Sequence, residues 1–179
     1  CWSLVGSEMC IRDSNYSDHA AEVGAEIPKE PIMFMKATSS MCGPNDDVEI
    51  VSGSKKLDWE VELGIVIGKE AKHISEDQSQ DHILGYCLVN DVSEREWQIE
   101  KMGQWVKGKS HDTYGPTGPY LVTKDEIKDI NNLKMMLDVN GERMQTGNTS
   151  TMIFNVDIIV SSVSKFTVSY THLRAHETP

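Results

Sequence analysis

The chain has 179 residues, a length typical of a single domain that can bury a hydrophobic core of its own. Its 28 acidic and 17 basic residues give a net charge of −11, and no basic patch interrupts this excess, so we expect no nucleic-acid partner. No apolar run reaches the length of a membrane span, and the four cysteines form no Cys-x-x-Cys motif, which together predict a soluble protein of the reducing cytoplasm.

The two ends of the chain differ in character from its middle. Residues 1–14 (CWSLVGSEMCIRDS) and 168–179 (VSYTHLRAHETP) resemble translated sequencing-adaptor sequence. The alternative is an ordinary flexible tail at each end. We therefore predict one domain over residues 15–167, flanked by two non-native segments that carry no information about the fold.

Strands and turns dominate the predicted elements, and the predicted helices are few and short. In the first half of the chain the predictions are a helix over 15–26, a loop at 28–31, a strand over 32–36, a turn at 42–46, a candidate strand at 48–51, a strand over 57–67 and a linker or short helix over 75–82. In the second half they are a strand over 83–90, a helix from Ser93 to about residue 102, a loop over 108–119, a hairpin of 133–139 with 142–146, and a helix over 152–163. Asn140-Gly141 is the signal for the hairpin, and Thr149 or Ser150 is the predicted cap of the last helix. The predicted fold class is mainly β with a few short helices (α+β).

The strand over 57–67 carries two glutamates, Glu60 and Glu62, within an otherwise apolar run. Side chains alternate along a strand, so both carboxylates point to the same face. A divalent cation would convert the repulsion between them into a binding site, and Asp91, which follows the next long strand, offers a third carboxylate. The alternative is that Glu60 and Glu62 form the wet face of an antiparallel strand.

Several short motifs occur in one order along the chain. They are Asn15-Tyr-x-x-His19-x-x-Glu22, Asp58-x-Glu60-x-Glu62-Leu, Asn90-Asp91-x-Ser93-x-Arg95-x-x-Gln98, Gly108-Lys109-Ser-x-Asp112-Thr, Gly115-Pro-x-Gly-Pro119, Asn140-Gly141 and Gln145-x-Gly-Asn-Thr149. In this order they resemble the fumarylacetoacetate hydrolase family, over nearly all of residues 15–167. The resemblance implies the mixed β-sandwich or roll of that family's C-terminal domain. Residues 43–48 and 53–62 look most like the branch that hydrolyses 2,4-diketo-3-deoxy sugar acids, a branch often labelled ureidoglycolate lyase.

The resemblance also implies a metal site and its chemistry. Glu60, Glu62 and Asp91 match the carboxylates that bind magnesium or manganese in the family. Such a metal acts as a Lewis acid on a 2-oxo acid while a carbon–carbon bond breaks and pyruvate is released. Lys109 matches a lysine that stands beside the metal and the substrate.

The remaining site residues follow from the same resemblance. His19 and Glu22 match a dyad on the family's N-terminal lid, in which the glutamate orients the imidazole and the histidine takes a proton from water. Arg95 and Gln98 match positions that line the substrate pocket; the alternative for them is a solvated helix face. The family also suggests a homodimer.

The chain departs from the family pattern after Thr167. The family continues with a Pro-Gly-Asp turn and a Gly-Thr-Pro loop that grips the substrate, and neither occurs here. We therefore expect a domain that is incomplete at its C-terminus.

The function predicted is a metal-dependent hydrolase of an acylpyruvate-type 2,4-diketo acid. The alternatives are an isomerase, decarboxylase or hydratase of a related 2-oxo acid, or an inactive fragment that binds the metal only.

Overall fold

Short strands make up most of the regular structure in the computed structural model, which describes residues 15–17 and 27–166. The strands are β1 (Met41–Cys42), β2 (Leu57–Asp58), β3 (Val61–Ile67), β4 (Ile83–Asn90), β5 (Ser93–Glu94), β6 (Gly115–Pro116), β7 (Val122–Thr123), β8 (Lys134–Val139) and β9 (Glu142–Asn148). The helices are α1 (Val106–Lys109) and α2 (Val156–Phe166), with a π-helical turn at Glu96–Glu100 and 3₁₀ turns at Thr38–Ser40, Glu76–Asp81, Lys124–Glu126, Ile130–Asn132 and Thr149–Thr151. The helix predicted over 15–26 lies outside the described residues except for 15–17.

The described strands form a mixture of small sheets. Strands β3, β4 and β7 make an antiparallel three-stranded sheet, and β8 and β9 make an antiparallel hairpin. Strands β2 and β5 pair antiparallel, whereas β1 and β6 pair parallel. The predicted fold class, mainly β with a few short helices, is confirmed.

The ladder between β3 and β4 separates the hydrophobic core from the face that carries Glu62. Leu63, Ile65 and Ile67 pack against the core on one face of β3. Side chains alternate along the strand, so Glu62 points to the opposite face. The buried centre of the core consists of Ala71, Ile74, Ile83, Tyr86, Val156 and Val160.

The hairpin predicted from Asn140-Gly141 is confirmed, as is the strand predicted over 83–90. Asn140 and Gly141 both have positive φ angles, 53° and 85°. Two consecutive residues in this region are what the tight primed turn requires, and Asn-Gly is the pair that adopts it at least cost.

Two predictions near Asp58 and Ser93 were partly wrong because the chain changes pairing partners there. The predicted strand over 57–67 is divided: β2 pairs with β5, and β3 pairs with β4. Because Ser93 and Glu94 form β5, the helical turn predicted from Ser93 begins only at Glu96. Pairing between distant segments divides the predicted strand and overrides the local capping pattern at Ser93.

The strands predicted over 32–36 and 48–51 were wrong, since neither segment pairs with a neighbour in a ladder. The alternation expected of an extended chain still holds in the first segment. Phe34 and Lys36 are half-buried, whereas Met33 and Met35 are exposed. The segment therefore directs alternate side chains inward without joining a sheet.

The last helix begins at Val156, four residues later than predicted. Its first turn is capped by Asn155, whose side-chain oxygen accepts a hydrogen bond from the backbone N–H of Ile158 at 3.0 Å. Thr149 is not the cap: it is buried, its hydroxyl donates to the carbonyl of Ile130 at 2.7 Å, and it accepts from the N–H of Leu133 at 2.8 Å. Within 15–17 and 27–166, no helix combines the length and apolar character that crossing a membrane requires.

A substitution at Gly85 tests the close approach of β4 and β7. A Cβ atom at this position would lie 2.2 Å from the carbonyl oxygen of Val122, so the backbone of β7 would have to move. We expect Gly85→Ala to lower the free energy of unfolding by about 1–3 kcal/mol, measured by urea denaturation. Gly147→Ala is the matched control, because a Cβ at Gly147 meets no atom within 4 Å. Equal unfolding midpoints for the two variants would contradict the β4–β7 geometry.

Candidate metal centre

Three acidic side chains converge at the ends of β3 and β4. Glu60 precedes β3, Glu62 lies within it, and Asp91 follows β4. One carboxylate oxygen from each lies within 4.8 Å of the others. The residues are 5%, 2% and 0% exposed, respectively, so the alternative of a wet strand face for Glu60 and Glu62 is wrong.

The register of the ladder explains why these carboxylates meet. Val61 is paired with Asn90, which places Glu60 beside Asp91 just beyond the last pair. The backbone N–H of Asp91 donates to the carbonyl of Glu60 at 2.9 Å, and the side-chain oxygen of Asn90 accepts from the N–H of Glu60 at 3.1 Å. These bonds fix the backbone on both sides of the cluster.

Lys109 lies between two of the carboxylates. Its Nζ atom donates to Glu60 Oε2 at 2.8 Å and to Asp91 Oδ2 at 2.6 Å, and its side chain is fully buried. The ammonium group also lies 4.9 Å from the centre of the Phe34 ring, within the range of a cation–π contact. Lys109 is therefore held at the carboxylate cluster from several sides.

Lys36 is a second lysine with a buried side chain at this cluster, and no local sequence pattern selects it. Its Nζ atom donates to Asp91 Oδ1 at 2.5 Å and to the carbonyl of Val92 at 3.2 Å. Its side chain is 5% exposed. A single lysine at the end of a short apolar run carries no local signal for this position, which depends on contact with residues more than 50 positions away.

Arg95 and Gln98 contact each other beside the triad. Arg95 Nε donates to Asp58 Oδ2 at 2.8 Å, and its Nη1 donates to Gln98 Oε1 at 3.0 Å. Its Nη2 also donates to Glu60 Oε1. The arginine side chain is only 13% exposed, so the alternative of a solvated helix face does not apply to it.

Burial and neighbouring charges shift pKa values at the site in different directions for Glu60, Asp91, Lys109 and Lys36. Burial raises the pKa of Glu60, and the charges of Lys109 and Arg95 offset this only in part. Burial also acts to raise the pKa of Asp91, but Lys109 and Lys36 outweigh it and the net pKa is lowered. Burial acts to lower the pKa of Lys109, but the surrounding carboxylates outweigh it and the net pKa is raised. At Lys36 burial is the larger effect, and the pKa is lowered.

Gly108 allows α1 to bring Lys109 to the cluster. A Cβ atom at Gly108 would lie 2.4 Å from the carbonyl oxygen of Glu94 and 2.6 Å from the backbone nitrogen of Gln98. No side chain fits at that distance from the backbone. The glycine next to Lys109 is therefore a requirement of close packing between α1 and the turn that carries Gln98.

Glu94 anchors the loop that leads into β2. It is fully buried, and its carboxylate accepts hydrogen bonds from the backbone N–H groups of Lys55, Lys56 and Glu96 at 3.0–3.2 Å. The hydroxyl of Ser54 donates to the same carboxylate. A buried carboxylate is stable when it is hydrogen-bonded in this way, and here it fixes the strand that carries Asp58.

His19 and Glu22, the predicted proton-transfer dyad, lie outside the described residues. The segment that leads to them is anchored at Asn15, whose side chain donates to the carbonyl of Phe154 at 3.0 Å and accepts from the N–H of Phe154 at 2.9 Å. The backbone carbonyl of Asn15 also accepts from the N–H of Ile153 at 2.7 Å.

The donor set fits a hard divalent cation. Three carboxylates offer only oxygen ligands, which magnesium and manganese prefer over softer donors. In an octahedral shell with metal–oxygen distances of about 2.1 Å, ligand oxygens lie roughly 3–4 Å apart. The spacing of the triad, within 4.8 Å, needs only small side-chain adjustments to reach that geometry.

Glu94→Gln tests the anchoring of the loop before β2. The amide group would turn an N–H₂ toward backbone donors, leaving at least one buried N–H without an acceptor. We expect a loss of about 1–3 kcal/mol in the free energy of unfolding, measured by urea denaturation. The matched control is Glu70→Gln, because Glu70 is exposed. Equal stabilities of the two variants would show that the buried carboxylate is not needed.

Comparison with known proteins identifies the family. The family model described as fumarylacetoacetate (FAA) hydrolase C-terminal matches residues 9–175. A Burkholderia ambifaria protein named "Putative hydrolase" is 58% identical over 150 residues, which cover 84% of this chain and 53% of that protein. The chain thus spans about half the length of the curated relatives it matches.

Two solved structures resemble the chain closely. One is 5-carboxymethyl-2-hydroxymuconate delta-isomerase from Mycobacterium smegmatis, with a TM-score of 0.79 and 34% identity over 92% of this chain and 61% of that one. The other is 2-hydroxyhepta-2,4-diene-1,7-dioate isomerase from Mycobacterium marinum, with a TM-score of 0.77 and 36% identity over 87% of this chain and 56% of that one. With the family model matched across most of its length, the chain belongs to the fumarylacetoacetate hydrolase family.

Proposed function

We propose that the chain carries the metal centre of a magnesium- or manganese-dependent hydrolase that cleaves an acylpyruvate-type 2,4-diketo acid and releases pyruvate. Within this class we propose a 2,4-diketo-3-deoxy sugar acid as the substrate. The observation that carries the proposal is the buried triad of Glu60, Glu62 and Asp91 with Lys109 beside it. A site built to bind only a structural ion would not need a buried lysine beside its ligands.

The triad residues would hold the cation, which supplies Lewis-acid chemistry at the oxygens of a bound 2-oxo acid. Lys109 and Arg95 place positive charge next to the position where negative charge develops as the carbon–carbon bond breaks. Gln98 accepts a hydrogen bond from Arg95 and so orients the guanidinium group toward Glu60. These residues act through position and charge, in a site from which water is largely excluded.

We assign proton transfer to His19 and Glu22 on the basis of their motif. In this proposal Glu22 orients the imidazole of His19, and His19 removes a proton from the attacking water. Water adds to the carbonyl distal to the 2-oxo acid group. The bond between this carbonyl carbon and the pyruvate methylene then breaks; its electron pair stays on the pyruvate fragment, which takes up a proton, and the acyl part leaves as a carboxylic acid.

An isomerase acting on a related 2-oxo acid is the second candidate. The observation that favours it is that two proteins of similar structure, at 34% and 36% identity, are named isomerases. A decarboxylase or hydratase would use the same triad. The His19-to-Glu22 spacing favours hydrolysis, because neither isomerisation nor decarboxylation needs an attacking water.

We further propose that the protein is cytoplasmic and works as a homodimer without nucleic-acid or membrane partners. These proposals follow from the family resemblance and from the acidic net charge of −11.

Replacing one triad carboxylate tests the proposed function. We expect Glu60→Gln to weaken Mn²⁺ binding and pyruvate release by about 100-fold or more, since even residues that only support metal ligands contribute 10–100-fold. Mn²⁺ binding is measured by titration calorimetry, and pyruvate by coupled reduction to lactate. Glu70→Gln is the matched control and should leave both unchanged. Pyruvate release by protein in excess chelator, with no bound metal detectable, would contradict the proposal.

Product analysis separates hydrolysis from isomerisation. We expect incubation with an acylpyruvate in H₂¹⁸O to yield a carboxylic acid that contains ¹⁸O, together with pyruvate, as followed by NMR and mass spectrometry. A rearranged product of unchanged mass would favour the isomerase.

A further inference from the structure

Two of the buried triad carboxylates lie against positive side chains of the chain itself. Among the described residues, Glu60 and Asp91 are contacted by three cations, which are Lys36, Lys109 and Arg95. A fourth carboxylate, Asp58, also contacts Arg95, but its side chain is 37% exposed and is therefore stabilised by water as well. Three positive side chains therefore already lie against two of the three proposed metal ligands.

The positive side chains occupy every carboxylate oxygen of two of the proposed ligands. Glu60 accepts from Arg95 through Oε1 and from Lys109 through Oε2. Asp91 accepts from Lys36 through Oδ1 and from Lys109 through Oδ2. A cation bound by Glu60 and Asp91 must therefore use oxygens that already hold an ammonium or guanidinium group.

A divalent ion alone would add two positive charges to a buried cluster that already holds three cations. Like charges a few ångströms apart in a buried site repel strongly, because little water is present to screen them. An anion that arrives with the metal offsets part of this added charge and gives the displaced lysine ammonium groups a new partner. A 2-oxo acid is an anion of this kind, since its carboxylate and keto oxygens lie next to each other.

We propose that Lys36 and Lys109 are internal counter-cations of the triad, and that the site therefore takes up a divalent cation and a 2-oxo carboxylate together rather than separately. This inference rests on the proposed function and adds to it a role for Lys36, a positioning residue that acts through Asp91. The lysines stabilise the metal-free site and make metal binding depend on the anion.

Titration calorimetry of the unmodified chain tests the coupling. Mn²⁺ is titrated without and with oxalate, a planar dianion that presents the two adjacent oxygens of a 2-oxo acid. We expect oxalate to tighten Mn²⁺ binding by about tenfold or more, and Mn²⁺ to tighten oxalate binding by the same factor, since coupling between two ligands is reciprocal. Oxalate also binds Mn²⁺ in solution, but this lowers the free ion concentration and acts against the expected effect.

Charge removal at Lys36 identifies the source of the coupling. We expect Lys36→Met to tighten the binding of Mn²⁺ alone by about tenfold and to reduce the effect of oxalate by a similar factor. Lys107→Met is the matched control, because Lys107 is exposed on the same helix as Lys109 and should leave both affinities unchanged.

Two results would overturn the inference. Equal Mn²⁺ affinities with and without oxalate would exclude the coupling and leave the proposed metal centre intact. Weaker Mn²⁺ binding by a Lys36→Met variant that still unfolds cooperatively would exclude the counter-cation role. Absence of Mn²⁺ binding under both conditions would instead contradict the metal centre itself, and with it this inference.

Discussion

The ion pairs between the Lys109 ammonium group and the carboxylates of Glu60 and Asp91 are the interactions on which the site depends. Carboxylates buried to this extent are costly unless opposite charges and hydrogen bonds replace the lost water. Lys109 supplies that compensation at 2.6–2.8 Å, and Lys36 and Arg95 extend it to the outer oxygens. In the proposed function, the same groups would also meet the arriving metal ion and substrate anion.

Much of the surrounding fold can be understood as support for this cluster. The β3–β4 register brings Glu60 next to Asp91, and the missing side chain of Gly108 lets α1 deliver Lys109 from the other side. The extended segment before residue 37 turns Phe34 and Lys36 inward without the help of a sheet. Few regular elements are long, so position at the site is fixed largely by individual hydrogen bonds and close backbone contacts.

Local signals in the sequence predict part of the structure. Asn140-Gly141 determines the hairpin, and alternation in the acidic strand places Glu60 and Glu62 on one face. Local signals are misleading where pairing between distant segments determines the structure, as at Ser93, which joins a strand rather than starting a helix. Lys36 was missed for the same reason, because its position follows from contact with Asp91 and not from its neighbours in the chain.

The proposed metal centre can be tested by a crystal structure of the chain grown with Mn²⁺ and oxalate, with anomalous data collected at the manganese edge. We expect one manganese ion about 2.1–2.2 Å from oxygens of Glu60, Glu62 and Asp91. We also expect oxalate to complete the metal shell and the Lys109 ammonium group to lie closer to the oxalate. Manganese at another position, or Lys109 still bridging Glu60 and Asp91 with no metal between them, would contradict the proposed centre.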